Sequence, residues 1–170
     1  MRKSILRVQA RAVRGRGAVL HASAVESRER GILFMAPSGG GKSTAARILG
    51  EGGYRVLGDD STVVCRGTDG VWRVIPCASW SWQSGDERRA APLGGLVLLE
   101  KGEPALLAEV APIYASYRIL RENSIMAYGD VTPAERPPFR SSLREICRSF
   151  PVHLLRYSRP ESLARMAKEL

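Results

Sequence analysis

Apolar positions along the chain fall in short runs broken by glycine, proline and charged clusters, a spacing that predicts strands interleaved with a few helices. Residues 18–25, Ala-Val-Leu-His-Ala-Ser-Ala-Val, read as one strand and the polar stretch 26–31 as the turn after it. Ile32, Leu33, Phe34 and Met35 then read as a buried strand, so a hairpin leads into residue 36. Ala45, Ala46, Ile48 and Leu49 place a helix over 44–51, stopped by Gly50, Gly52 and Gly53. A strand over 54–57 follows and ends at Gly58, Asp59 and Asp60.

Runs at 62–65 and 71–75 flank Gly67-Thr68-Asp69-Gly70, which predicts a second hairpin and hence a mixed sheet. Residues 76–92 show no period and read as a functional or mobile loop. Beyond it the pattern predicts a strand at 96–99 with 105–110 as its candidate partner, a helix at 113–120 and a proline-rich connector at 132–138. An amphipathic helix at 139–150, a strand at 152–157 and a closing helix at 160–170 with Pro160 in its first turn complete the reading. With no internal repeat, residues 1–170 are expected to form a single α/β domain, a mixed β-sheet with flanking helices.

Composition narrows the class. A chain of 170 residues that is 44% hydrophobic can bury one core. No run approaches eighteen apolar residues and no apolar signal stretch follows the basic N-terminus, so a soluble, cytoplasmic protein with no membrane partner is expected. Cys65, Cys77 and Cys147 are odd in number and lack a Cys-x-x-Cys pair, which speaks for reduced thiols and against a disulfide framework or zinc site. The net charge of +9 is carried by arginine, since only Lys3, Lys42, Lys101 and Lys168 are lysines, and it favours anionic partners. The densest group, Arg2, Lys3, Arg7, Arg11, Arg14 and Arg16, fits an edge strand or a loose arm as well as a phosphate-tracking tail. Nucleic acid ranks last among the partners because no reader motif or aromatic platform accompanies the charge. Trp72, Trp80 and Trp82 fit stacking and core packing equally and stay outside the candidate site.

The chemistry lies at residues 36–43. Ala36-Pro37-Ser38-Gly39-Gly40-Gly41-Lys42-Ser43, followed by Thr44, fits the Walker A phosphate-loop pattern with alanine in place of the first glycine. Glycines let the backbone curl its N–H groups around phosphate oxygens, and the following helix adds its positive end. Lys42 is expected to reach the β- and γ-phosphates of ATP, and Ser43 to place its hydroxyl on Mg²⁺. Asp59 and Asp60 sit together at a strand end, where two carboxylates repel unless a cation or a base role uses them. Magnesium keeps several waters, so Ser43 and Asp60 suffice for it, leaving Asp59 to orient and deprotonate an incoming alcohol. Gly-Asp-Asp-Ser is also a good exposed turn. His21, alone on an apolar strand, reads from spacing as a core residue.

Taken together, His21, the 36–44 loop and Asp59-Asp60 resemble the catalytic domain of HPr kinase/phosphorylase, in one superfamily with phosphoenolpyruvate carboxykinase. The resemblance rests on residues 20–64, where an Asp-Asp pair follows the loop closely and a histidine precedes it. It implies a P-loop domain of that type, with Asp59 as base for an acceptor serine, His21 assisting, and Asp60 with Ser43 serving the metal. It also implies ATP and Mg²⁺ as cofactors, a protein or peptide substrate, and a homo-oligomer. The Glu-x-Arg-Gly-x-Gly signature is absent, with Leu93-Gly94-Gly95-Leu96 at best a remnant, and Arg88 and Arg89 are candidates for its arginine or plain surface residues. Small relatives of this size resemble tailoring kinases of ribosomally made peptides such as lasso peptides. The expected function is an ATP-dependent serine kinase, the alternatives being a catalytically silent nucleotide-binding module or a nucleic-acid-binding protein.

Overall fold

The computed structural model describes residues 13, 15–76, 89–122, 136–167 and 169. In chain order these form β1 (Gly17–Leu20), β2 (Ala22–Ser27), β3 (Arg30–Met35), α1 (Lys42–Glu51), β4 (Arg55–Gly58), β5 (Thr62–Arg66), β6 (Trp72–Ile75), β7 (Ala91–Lys101), β8 (Leu106–Glu109), α2 (Pro112–Glu122), α3 (Arg136–Ser149), β9 (Val152–Tyr157) and α4 (Pro160–Ala167). The strands make one nine-stranded mixed sheet in the order β1-β5-β6-β7-β3-β2-β4, with β9 beside β7 and β8 beside β9.

Alternation along the central strands sends side chains to two separate cores. Leu33 and Met35 of β3, with Leu96 and Leu98 of β7, pack against Ala115 and Ile119 of α2 and Leu143 and Ile146 of α3. Ile32, Phe34, Val97 and Leu99 point the other way, onto Ala45, Ala46 and Leu49 of α1 and Leu163 of α4. Helices therefore cover both faces of the sheet, and each fully buried leucine or phenylalanine contributes roughly 1.5–3 kcal/mol. Trp72 belongs to the first core, so packing accounts for it. Trp80, Trp82, Arg88 and Cys77 lie outside the described residues, as do the basic N-terminal positions through 12 and Arg14.

Five expectations change. The strand expected over 18–25 is two strands, because the chain changes partners at His21: β1 pairs with β5, whereas β2 pairs with β3 and β4. The Thr62 hydroxyl donates to the Ala22 carbonyl at 2.8 Å and closes that crossing. The turn expected over 26–31 shrinks to Arg28 and Glu29, both with positive φ, as a tight hairpin that follows the strand twist requires. Residues 105–110 are not the partner of the preceding strand; β8 pairs with β9, since β3 and β9 already flank the C-terminal half of β7. Within the described part of the 132–138 connector, Pro137 and Pro138 stand in the first turn of α3, where their missing N–H costs nothing.

The strand expected over 96–99 runs from 91 to 101. Gly94 lies inside it because a Cβ there would come within 2.8 Å of the Arg30 Cβ, a close strand approach that composition alone reads as a break.

Candidate functional site

Strands β3, β7 and β9 are mutually parallel, so their carboxyl ends share one rim of the sheet, the place where open α/β sheets bind ligands. From that rim residues 36–41 turn directly into α1. Gly39 and Gly41 have φ of 74° and 95°, a region that side chains disfavour. At Gly40 a Cβ would lie 2.5 Å from the Ala36 Cβ, and at Gly41 it would lie 1.8 Å from the Tyr157 hydroxyl. Three consecutive glycines are thus explained by backbone conformation and close approach.

Gly41 caps α1 with no side-chain hydrogen bond, leaving the first-turn N–H groups without intrahelical acceptors. Pro37, Ser38, Gly39 and Ser43 are exposed, and Thr44 is half-buried. Lys42 is 6% exposed, and its ammonium donates to the carbonyl oxygens of Ala36 at 2.8 Å and Pro37 at 3.1 Å. Burial pushes its pKa down, against the pull of Asp60, Asp59 and Glu122, which favour the charged form. The tightly turned segment therefore carries a buried cation facing acids.

Those acids follow β4. β4 lies beside β2, with Gly58 opposite Ala24, so Asp59 and Asp60 emerge next to the start of β2. The Ser23 hydroxyl donates to Asp59 Oδ1 at 2.6 Å. His21 Nδ1 lies 2.7 Å from the Asp60 carbonyl oxygen and 3.3 Å from Asp60 Oδ1. Because a carbonyl only accepts, Nδ1 carries the proton in that contact. Asp60 itself has φ 70°, a strained conformation for a residue with a side chain. A cavity of about 510 Å³ runs beside α1 from Ser43 to Glu51 and reaches Tyr54, Val56 and Asp59.

The structure thus gathers Lys42, Ser43, Asp59, Asp60 and His21 around the N-terminus of α1 and places His21 against Asp60. Arg89 is not part of the group: its guanidinium meets Glu26, and its carbonyl accepts from Arg55 at the start of β4. The four steps from Arg55 to Asp59 span about 13 Å of extended chain.

Two residues escaped the sequence reading. Ser23 stands among apolar residues with no motif to flag it, although its alternation with Val25 puts it on the α1 side of β2. Tyr157 comes from 117 positions away to donate its hydroxyl to the Gly40 carbonyl at 3.3 Å, a contact no local pattern signals. Among the described residues no group of three or more histidine, cysteine, aspartate or glutamate side chains could hold a metal ion. No helix among them is long and apolar enough to cross a membrane.

The family model of the SynChlorMet cassette protein ScmC matches residues 1–123, from the N-terminal segment through α2. The chain belongs to the ScmC family. Its description names a cassette and no activity, and the match takes in the glycine turn, the two acids, His21 and Ser23 but stops short of α3, β9 and α4. No curated protein matches the chain. A solved HPr(Ser) kinase/phosphatase from Coxiella burnetii matches 89% of this chain and 95% of its own at 10% identity with a TM-score of 0.49, a likeness too distant to carry a site across.

Proposed function

We propose that this member of the ScmC family is an ATP-dependent kinase, a P-loop protein of the HPr kinase and phosphoenolpyruvate carboxykinase type that phosphorylates a serine of a protein or peptide. One observation carries the reading: a glycine turn opening a helix, with a buried lysine at its end, stands opposite two acids that are each held by a separate group. Either half alone has a structural explanation. Together they supply an anion cradle and a base.

The residues fit a triphosphate. Glycines that exclude side chains at 40 and 41 and the uncapped N–H groups of α1 suit phosphate oxygens. Lys42 would meet the β- and γ-phosphates, and residues 37–44 would line them. Ser43 and Asp60 would hold Mg²⁺, two protein oxygens being a usual number for an ion that keeps its waters, and the ion would neutralise phosphate charge. Asp59 would take the proton of the acceptor hydroxyl as its oxygen bonds to the γ-phosphorus. The bond from that phosphorus to the β–γ bridging oxygen breaks, and ADP leaves with the electron pair. Asp59 is among the residues lining the cavity beside α1, which would give the acceptor segment a place to lie. His21, through Asp60, would support the metal side of the site.

Incubating the protein with labelled ATP, Mg²⁺ and serine-containing peptides tests this directly. Transfer that disappears in Asp59→Asn while nucleotide binding remains is the expected result. Transfer that survives in Asp59→Asn removes the base assignment, and nucleotide bound with no phosphoryl group ever released to peptide or water removes the kinase.

A further inference from the structure

Ser23 is fully buried, between Ala22 and Ala24 on β2. A hydroxyl in such a place costs free energy unless its hydrogen is used, and alanine, which both neighbours carry, would fill the position without that cost. Its hydrogen goes to Asp59 Oδ1 at 2.6 Å, the length of a charge-assisted bond to a carboxylate. β2 sits between β3 and β4, so the strand that carries Ser23 is locked in the sheet on both sides. Asp59 follows the end of β4 and precedes a residue with positive φ, where the ladder no longer fixes direction. The carboxylate is therefore oriented chiefly from the neighbouring strand.

On this geometry, and resting on the kinase reading above, we propose that Ser23 is a positioning residue for phosphoryl transfer. By holding Oδ1 it stops rotation of the carboxylate and presents Oδ2 to the acceptor hydroxyl. His21, two residues earlier, grips the other acid through its backbone carbonyl, so this short stretch of chain aims the base and steadies the metal side by different contacts. Ser23 touches neither nucleotide nor acceptor in this scheme, and its loss acts on the rate and not on binding.

The test uses the full-length protein and the variants Ser23→Ala and Ser23→Thr. Ser23→Ala is expected to lower kcat about 10- to 100-fold, the penalty typical of a misdirected catalytic group, with KM for ATP and for the peptide unchanged. Ser23→Thr, which keeps the hydroxyl, is expected to recover most of the rate. Because threonine adds a methyl group at a fully buried site, the Asp59 carboxyl ¹³C resonance supplies a second readout, expected to move in Ser23→Ala. An unchanged kcat in Ser23→Ala, or an Asp59 resonance that stays put, overturns the inference. Wild-type protein that phosphorylates nothing overturns the kinase reading instead, and the Asp59 resonance then still decides whether Ser23 holds the carboxylate.

Discussion

Lys42 sits where burial works against its charge. It is 6% exposed and its ammonium donates to two backbone carbonyls, and burial pushes its pKa down while Asp60, Asp59 and Glu122 pull it up. On the proposed reading Lys42→Met lowers affinity for MgATP by at least about tenfold, since one buried charge-assisted contact to phosphate is worth more than ~1.4 kcal/mol; equal affinities by calorimetry would sink the assignment. Tyr157 offers a test that needs no ligand. Burial raises its phenol above the ordinary 10.0, so the neutral form favours the fold, and this contribution is whole below that value and lost as pH rises through the raised one. Lys42 runs the opposite way in the same alkaline range, its lowered pKa making its contribution grow toward pH 10.5. Comparing wild type with Tyr157→Phe cancels the lysine. Melting temperatures between pH 9 and 11 are expected to fall more steeply in wild type than in the variant, and parallel curves would contradict the burial of the phenol.

At the scale of elements, the glycine turn and β9 are coupled through one atom. Gly41→Ala adds a Cβ 1.8 Å from the Tyr157 hydroxyl at a φ of 95°, so a loss of about 1–3 kcal/mol is expected in urea unfolding. Adding Tyr157→Phe removes the clashing oxygen and leaves the ring carbon at 3.1 Å, so the double variant should recover part of the loss; strict additivity would mean that the two do not touch. The β5–β6 hairpin carries a different kind of local device. Asp69 accepts from the Val71 N–H and from Arg73, which hold its carboxyl well below the usual range. Its support is present above pH 3.8 and fades as pH falls below that value, and Asp69→Ala should remove the dependence from hairpin amide exchange. Most elements were legible from pattern: the hairpin into residue 36, α1, the 67–70 turn and β9 lie where apolar periodicity and glycine placed them. Partner choice was not. Nothing within residues 18–25 shows that one half pairs with β5 and the other with β3 and β4, because periodicity reports a strand's faces and not its neighbours.

Across the whole molecule, a mixed sheet with helices on both faces holds the rim where three parallel strands end. The two cores share β3 and β7, so they should unfold together: Phe34→Ala on one face and Leu98→Ala on the other are each expected to cost about 2–5 kcal/mol and to leave one cooperative transition. Two separate transitions would contradict that coupling. The candidate site follows the same division between local and distant information. Lys42, Ser43 and the Asp59-Asp60 pair were readable as candidates because a glycine run before Lys-Ser and an acid pair at a strand end are both local patterns. Ser23 and Tyr157 were not, because their contacts join positions 36 and 117 residues apart. The most direct measurement of the central claim is calorimetric titration of MgATP into wild-type protein and into Lys42→Met. One-site binding that requires Mg²⁺ and collapses in the variant is the predicted result, whereas no heat in wild type, or the same isotherm in both, would contradict it.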